Sequence, residues 1–245
     1  IEDFPFIVSI QKSHHHLCGG SLVSKNLVLT ACHCLTWKNE SSHLLEYRSV
    51  KDFTLLAGTV KVHGNEGERR KAHTFFKDPR CDKEITGWVF DLGIVKVSSD
   101  FDIKPHQVEI LPLPASKNPN NLDEMSRNRA DCVTAGWGKL SETGPLRGAP
   151  YLMKVELELI PHHECRQILQ ATTMRLARND PDKTLMLSGP SQVCTIGENG
   201  KDACSGDSGA PLLCNDGLSE KPVCVPSCLG ALVVEDPESQ ECGRG

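Results

Sequence analysis

Short apolar runs alternate with turns rich in Gly, Pro, Asn and Asp along the whole chain. Phe6-Ile7-Val8-Ser9-Ile10, Leu27-Val28-Leu29, Phe53-Thr54-Leu55-Leu56-Ala57, Gly93-Ile94-Val95-Lys96-Val97 and Leu152-Met153-Lys154-Val155-Glu156-Leu157 are each of strand length. Runs this short, punctuated this often, predict an all-β molecule built as a barrel or a sandwich. One segment reads differently. Pro161 stands before His162-His163-Glu164-Cys165-Arg166-Gln167-Ile168-Leu169, and proline at the entry predicts a short helix there. No internal repeat is evident. His14-His15-His16 reads as a surface loop and not a metal site, because consecutive ligands seldom converge on one ion.

Composition narrows the class. The chain has 245 residues, 38% hydrophobic and 24% charged, with a formal charge of −5. No dense Lys/Arg block is present, which argues against nucleic acid as a partner. No apolar run approaches a membrane span, so no membrane partner is expected. No signal peptide is seen, and a mature or trimmed chain is the expectation. The 12 cysteines lack paired Cys-x-x-Cys spacing, which makes zinc weak and favours disulfides in an oxidising, extracellular compartment. Asn39-Glu40-Ser41 has the form of an N-glycosylation acceptor and agrees with secretion.

The candidate chemistry lies near the C-terminus. In Cys204-Ser205-Gly206-Asp207-Ser208-Gly209-Ala210-Pro211 a serine sits between glycines on a tight turn. Glycine lets backbone come close to a substrate carbonyl. The N–H groups of Gly206 and Ser208 could then serve as an oxyanion hole when Ser208 attacks. A serine hydroxyl needs a base. Thr30-Ala31-Cys32-His33-Cys34 leaves the end of an apolar strand and supplies His33. Asp91 opens another strand and supplies an orienting acid. The order His33, Asp91, Ser208 belongs to the chymotrypsin arrangement. Ala210 breaks the G-x-S-x-G pattern, against an α/β-hydrolase.

With Cys18-Gly19-Gly20-Ser21-Leu22-Val23, Thr134-Ala135-Gly136-Trp137-Gly138 and Asp91-Leu92-Gly93-Ile94-Val95 added, the chain resembles the trypsin-like serine proteases. The resemblance implies two six-stranded antiparallel β-barrels with the active site in the cleft between them. One peptidase domain is expected over 1–245, its first barrel ending at about residue 108 and its second starting at about 125. Leu111-Pro112-Leu113-Pro114 and the polar stretch after it become the linker. The resemblance implies a secreted endopeptidase made as a zymogen, with protein or peptide substrates, an activating protease, protein inhibitors and no cofactor. Asp202 matches the pocket base that pairs with Arg or Lys of the substrate. Asp207 matches the acid that pairs with an N-terminal amine released by proteolysis, and His16 a histidine linked to the inactive form. Family spacing suggests the bridges Cys18–Cys34, Cys132–Cys214, Cys165–Cys194 and Cys204–Cys242. Cys32 and Cys81 are extra and would tie the histidine loop to the region before Asp91. Cys224 and Cys228 remain, with local pairing open.

Four departures from the family pattern stand out. The stretch Cys165 to Cys194 is longer than in relatives and reads as an enlarged surface loop carrying Arg175, Arg178 and Lys183. Ile1 is not the activating N-terminus, since that motif belongs several residues before Pro5. Val233, Val234 and Glu235 replace the Ser, Trp and Gly of the substrate-binding strand, so Val233 and Glu235 become candidate substrate contacts. The last strand and helix of the family are expected beyond Gly245. The alternative function is a non-catalytic homologue acting as a binding or cascade cofactor protein.

Overall fold

The computed structural model describes residues 1–84, 87–113, 121–140, 148–176, 187, 192–197, 202–219, 222–225 and 232–233. Val234, Glu235, Cys228 and Cys242 lie outside the described residues. The first half contains β1 (Ile7–Lys12), β2 (His15–Ser24), β3 (Leu27–Thr30), the one-turn helix α1 (Cys32–Leu35), β4 (Thr36–Lys38), β5 (Leu45–Tyr47), β6 (Phe53–Ala57), β7 (Glu68–Lys77), β8 (Asp82–Glu84), β9 (Gly87–Val89) and β10 (Gly93–Val97). Six of these strands close into a barrel in the order β1-β2-β3-β10-β7-β6. Two hairpins, β4–β5 and β8–β9, form small sheets of their own.

Alternation explains the closure. In β10, Gly93, Val95 and Val97 are buried while Lys96 is exposed, so one face of the strand must find a core. That core gathers Val8, Ile10, Leu22, Val28, Leu55 and Val95 around Phe53 and Phe75, which meet edge to face at 5.0 Å. Burying each such side chain contributes about 1.5–3 kcal/mol.

The second half contains α2 (Asn121–Arg127), β11 (Asp131–Gly136), β12 (Met153–Ile160), α3 (His162–Leu176), β13 (Cys194–Gly197), β14 (Leu212–Cys214), β15 (Val223–Cys224) and β16 (Leu232–Val233). Its strands form a six-stranded sheet, β15-β14-β11-β12-β13-β16. Each pairing is antiparallel except β13 with β16, where Thr195 stands opposite Val233 in a parallel register. Ile7 of β1 packs with Val62, Ala135, Trp137 and Leu213, which joins the two halves through a shared apolar cluster.

Three details differ from the sequence expectation. The helix after Pro161 runs 15 residues, so the first part of the stretch read as a surface loop is α3. Cys165, Leu169 and Thr172 make its buried stripe at helical spacing. The polar stretch read as linker includes α2. His15 and His16 belong to strand β2 and not to a loop. The turn before them is only Ser13 and His14, both at positive φ (49° and 67°), as two-residue hairpin turns require.

Candidate active site

His33 lies in α1, directly after β3. A helix of four residues cannot hold itself together, because nucleation alone is unfavourable. Disulfides on both neighbours hold it instead. Cys34 is bonded to Cys18 of β2, and Cys32 to Cys81 just before β8. Cys32, Cys34 and Leu35 are buried, which leaves His33 as the outward residue of the turn.

Asp91 is turned inward by strained backbone. Phe90 adopts a left-handed φ of 46°, and the Leu92 N–H donates to the Phe90 carbonyl at 2.7 Å. A non-glycine residue held this way costs on the order of 1–3 kcal/mol and tends to mark a functional position. The Asp91 side chain is 3% exposed. Its Oδ1 accepts the His33 backbone N–H at 2.8 Å, and its Oδ2 bonds His33 Nδ1 at 2.6 Å. These two bonds fix both the position and the tilt of the imidazole. With Asp91 ionised and the ring neutral, Nδ1 carries the hydrogen and Nε2 is left as the basic nitrogen. Trp88 of β9 covers the ring at 5.6 Å, centroid to centroid.

Ser208 arrives from the second half on a turn made by Gly206 (φ 105°) and Gly209 (φ 85°). The Ser208 carbonyl accepts the Gly19 N–H at 2.9 Å and lies 3.8 Å from Cys34 Sγ. Gly209 fits only as glycine. A Cβ there would collide with Thr30 Oγ1 and stand 2.6 Å from the Gly19 carbonyl oxygen. This contact brings the Ser208 turn onto the strand end that leads into α1. Among the described residues, the N–H groups of Gly206 and Ser208 donate to no protein acceptor. The Ser208 hydroxyl makes no hydrogen bond to His33 in this structure.

The turn is braced from behind. His16 Nε2 contacts the Gly206 carbonyl at 2.9 Å, and its Nδ1 meets Ser9 Oγ at 2.8 Å. Burial pushes the His16 pKa down to about 4, against a smaller upward pull from the Gly206 carbonyl. Asp207 accepts the N–H groups of Gly138 and Cys204 at 2.7 and 2.9 Å. Burial raises its pKa, and the two N–H bonds oppose that rise. Asp207 borders a pocket that also touches Gly136, Gly138, Lys139, Met153, Lys154 and Asp202. Asp202 is therefore on this pocket's wall, and its Oδ1 accepts the Ala203 N–H. Ile1 lies elsewhere, against the apolar cluster of Trp137 and Phe4.

The bridges Cys132–Cys214 and Cys165–Cys194 are formed in the second half. Cys204 is disulfide-bonded. Cys224 is a buried free thiol, its pKa pushed up to about 11 by burial. Two groups of possible metal ligands, Cys18-His33-Cys34 and Cys32-Cys81-Asp91, have their sulfurs engaged in disulfides and offer no thiolate. Among the described residues, no helix is long and apolar enough to cross a membrane.

Comparison with known proteins agrees with this architecture. The family model described as Trypsin matches residues 1–233. The chain belongs to the trypsin family. Among trypsin-family relatives, Hypodermin-B of Hypoderma lineatum is 31% identical over 222 residues, covering 89% of this chain and 71% of that protein. The snake venom serine protease pallabin of Gloydius halys is 29% identical over 223 residues, covering 88% and 70%. Ovochymase-2 of Mus musculus is 27% identical over 222 residues, and the chain spans only 30% of its length. The trypsin fold is also seen in the solved structure of human heparin binding protein, at a TM-score of 0.63 and 23% identity, covering 88% of this chain and 77% of that one.

The contacts of Trp88 and Gln192 were not foreseen from sequence. Gln192, just before β13, donates from Nε2 to the Trp88 carbonyl at 3.2 Å and so connects the second half to the wall beside His33. A lone Trp three residues before Asp91 was the only available signal.

Proposed function

We propose that the chain is a secreted serine endopeptidase in which Ser208 attacks the peptide carbonyl. The observation that carries this reading is the pair of hydrogen bonds by which Asp91 holds His33, Oδ1 accepting the backbone N–H at 2.8 Å and Oδ2 meeting Nδ1 at 2.6 Å, which leaves Nε2 free to act as the base. His33 takes the Ser208 proton as the tetrahedral intermediate forms and returns it to the leaving amine. Asp91 keeps the ring in the required tautomer and stabilises the imidazolium. The N–H groups of Gly206 and Ser208 receive the oxyanion. Hydroxyl-to-base bonds often tighten only once substrate is bound, so the missing Ser208–His33 bond is compatible with this role.

Asp202 is assigned to recognition of Arg or Lys in the substrate, and Val233 and Glu235 to the neighbouring substrate strand. Asp207 is assigned as the partner of an α-ammonium group released by proteolysis, which makes the protein a zymogen. A buried carboxylate without a cation is costly, and its upward-shifted pKa supports the need for such a partner. Disulfide content supports an extracellular location. Peptide or protein substrates, an activating protease and protein inhibitors are the expected partners.

The test is covalent labelling of the activated protein with a fluorophosphonate, followed by a peptide-library cleavage profile. Labelling abolished in Ser208→Ala, with cleavage after Arg and Lys, supports the whole assignment. Ser208-dependent cleavage after other residues removes Asp202 from it. A folded, processed protein that neither labels nor cleaves is instead the non-catalytic homologue.

A further inference from the structure

The Asn39-Glu40-Ser41 motif falls on the tip of the β4–β5 hairpin, and none of the chemistry above uses it. Asn39 directly follows β4, and Ser41, Ser42, His43 and Leu44 are exposed. The hairpin closes through the Asn39 N–H to the Leu44 carbonyl and the His43 N–H to the Asn39 carbonyl. The Asn39 side chain is already turned back on the motif. Its Oδ1 accepts the N–H groups of Ser41 at 2.9 Å and Ser42 at 3.2 Å. Donors on the amide oxygen make the Nδ2 hydrogens more acidic, which suits an amide nitrogen that must lose one. Nδ2 has two hydrogens, and Glu46 Oε1 accepts one of them at 2.7 Å. Among the described residues, the Ser41 hydroxyl bonds to nothing.

We propose that Asn39 carries an N-linked glycan and that this glycan shields the His33 side of the site from macromolecules. The donor is a lipid-pyrophosphate-linked oligosaccharide, and a transferase of the secretory pathway catalyses the step. A bond forms between Asn39 Nδ2 and the anomeric carbon of the first N-acetylglucosamine. The bond from that carbon to the pyrophosphate oxygen breaks, the lipid pyrophosphate leaves, and one Nδ2 proton goes to the transferase base. Nothing is oxidised or reduced. The Nδ2 hydrogen facing Glu46 is retained.

The hairpin itself has a face in need of cover. Trp37 and Leu44 are 43% and 66% exposed, while Tyr47, opposite Thr36 in the register, belongs to the other face. In the register, Trp37 stands opposite Glu46, the residue that holds Nδ2, so the glycan is rooted on the face of that tryptophan. Sugar C–H groups pack well on an indole.

The shielding follows from position. α1, with His33, runs straight into β4. Lys38, beside Asn39, donates to the Lys83 carbonyl at 2.8 Å and lies 3.7 Å from Asp82. The hairpin is thereby tied to β8–β9, whose Trp88 covers His33. A short peptide can enter past such a wall, whereas a folded protein meets the glycan. This second half of the inference rests on the peptidase reading.

The experiment begins with the chain secreted from a eukaryotic host and peptide masses taken before and after peptide-N-glycosidase. The expected result is a hexosamine-bearing peptide spanning Asn39 that the glycosidase converts to an aspartate-containing one. Asn39→Gln and Ser41→Ala lose the glycan, and Ser41→Thr keeps it. An unmodified Asn39 in folded, secreted protein overturns the site if a control glycoprotein from the same cells is occupied. For the shielding, proteolytically activated wild type and Asn39→Gln, their processed N-termini confirmed by peptide mass, are compared with a small fluorophosphonate and with a Kunitz-type protein inhibitor. Equal labelling by the small probe, with inhibitor association several-fold faster in Asn39→Gln, is expected. Equal association rates overturn the shielding. Absence of labelling in both overturns the peptidase reading and the shielding with it, while the peptide masses still decide the glycan.

Discussion

The Trp88 ring lies 5.6 Å from the imidazole of His33, tilted 37° to it, although His33 belongs to α1 and Trp88 to β9. The covalent link behind this contact is Cys32–Cys81, which joins the residue before His33 to the residue before β8. A bridge closing a loop with a sequence separation of 49 stabilises chiefly by restricting the unfolded chain. The paired replacement of Cys32 and Cys81 by Ala should therefore cost about 2–4 kcal/mol. It should also loosen Trp88, so that KM for peptides with large side chains changes more than kcat. Urea unfolding and a two-substrate kinetic comparison check the two parts.

Asp91→Asn keeps the shape of the acid but removes its charge. The amide can donate to Nδ1, which favours the wrong imidazole tautomer. On the proposed mechanism kcat falls by about 10⁴-fold, with little change in KM. Steady-state kinetics on a peptide ester or amide decides it, and circular dichroism should be unaltered.

His16 sets a pH dependence of stability. Unfolded, it binds a proton below about pH 6.5; folded, only below about pH 4. Its contribution is therefore fully present above pH 6.5 and is lost as pH falls through that window, by up to about 3 kcal/mol. Asp207 acts with the opposite sign, since its raised pKa relieves a buried charge as pH falls. Denaturant melts of wild type and His16→Gln between pH 6.5 and pH 4 separate the two. The variant should show the shallower loss toward acid.

Gly209→Ala should be strongly destabilising. Left-handed φ adds about 1–2 kcal/mol, and forcing a methyl against the Gly19 carbonyl and Thr30 adds about 1–3 more. For a chain of this length the melting temperature should drop by roughly 5–15 °C. Scanning calorimetry checks it. Gly217→Ala is the control, since that position also has positive φ but opens onto empty space.

The strands were legible because short apolar runs are bounded by turn residues, and some of them also alternate. Val95 and Val97 of β10 are an example, buried on either side of the exposed Lys96. The candidate residues were legible because His33, Asp91 and Ser208 each sit in a distinctive local string. Other features depend on contacts that no local string encodes. The left-handed Phe90 that turns Asp91 inward is a non-glycine exception to the usual rule, held in place by tertiary structure. Ser13-His14 makes a hairpin turn without the usual Asn-Gly. The length of α3 was readable in principle from the spacing of Cys165, Leu169 and Thr172, but Thr172 and Thr173 are poor helix formers and no capping signal marks its end at Leu176. The cover of His33 by Trp88 required two distant segments to be brought together.

The split of His33 and Asp91 from Ser208 has one more consequence. The acid and base lie on connections between barrel strands, whereas the serine lies on the turn before β14, and that turn packs on the barrel at Gly19 and Thr30. Neither half carries a complete set of reacting groups. On the proposed mechanism, fragments severed between Leu113 and Asn121 would be silent apart and active only on reassociation. On that mechanism hydrolysis would behave as a conjunction, reporting that both halves have folded and also that they have docked in register.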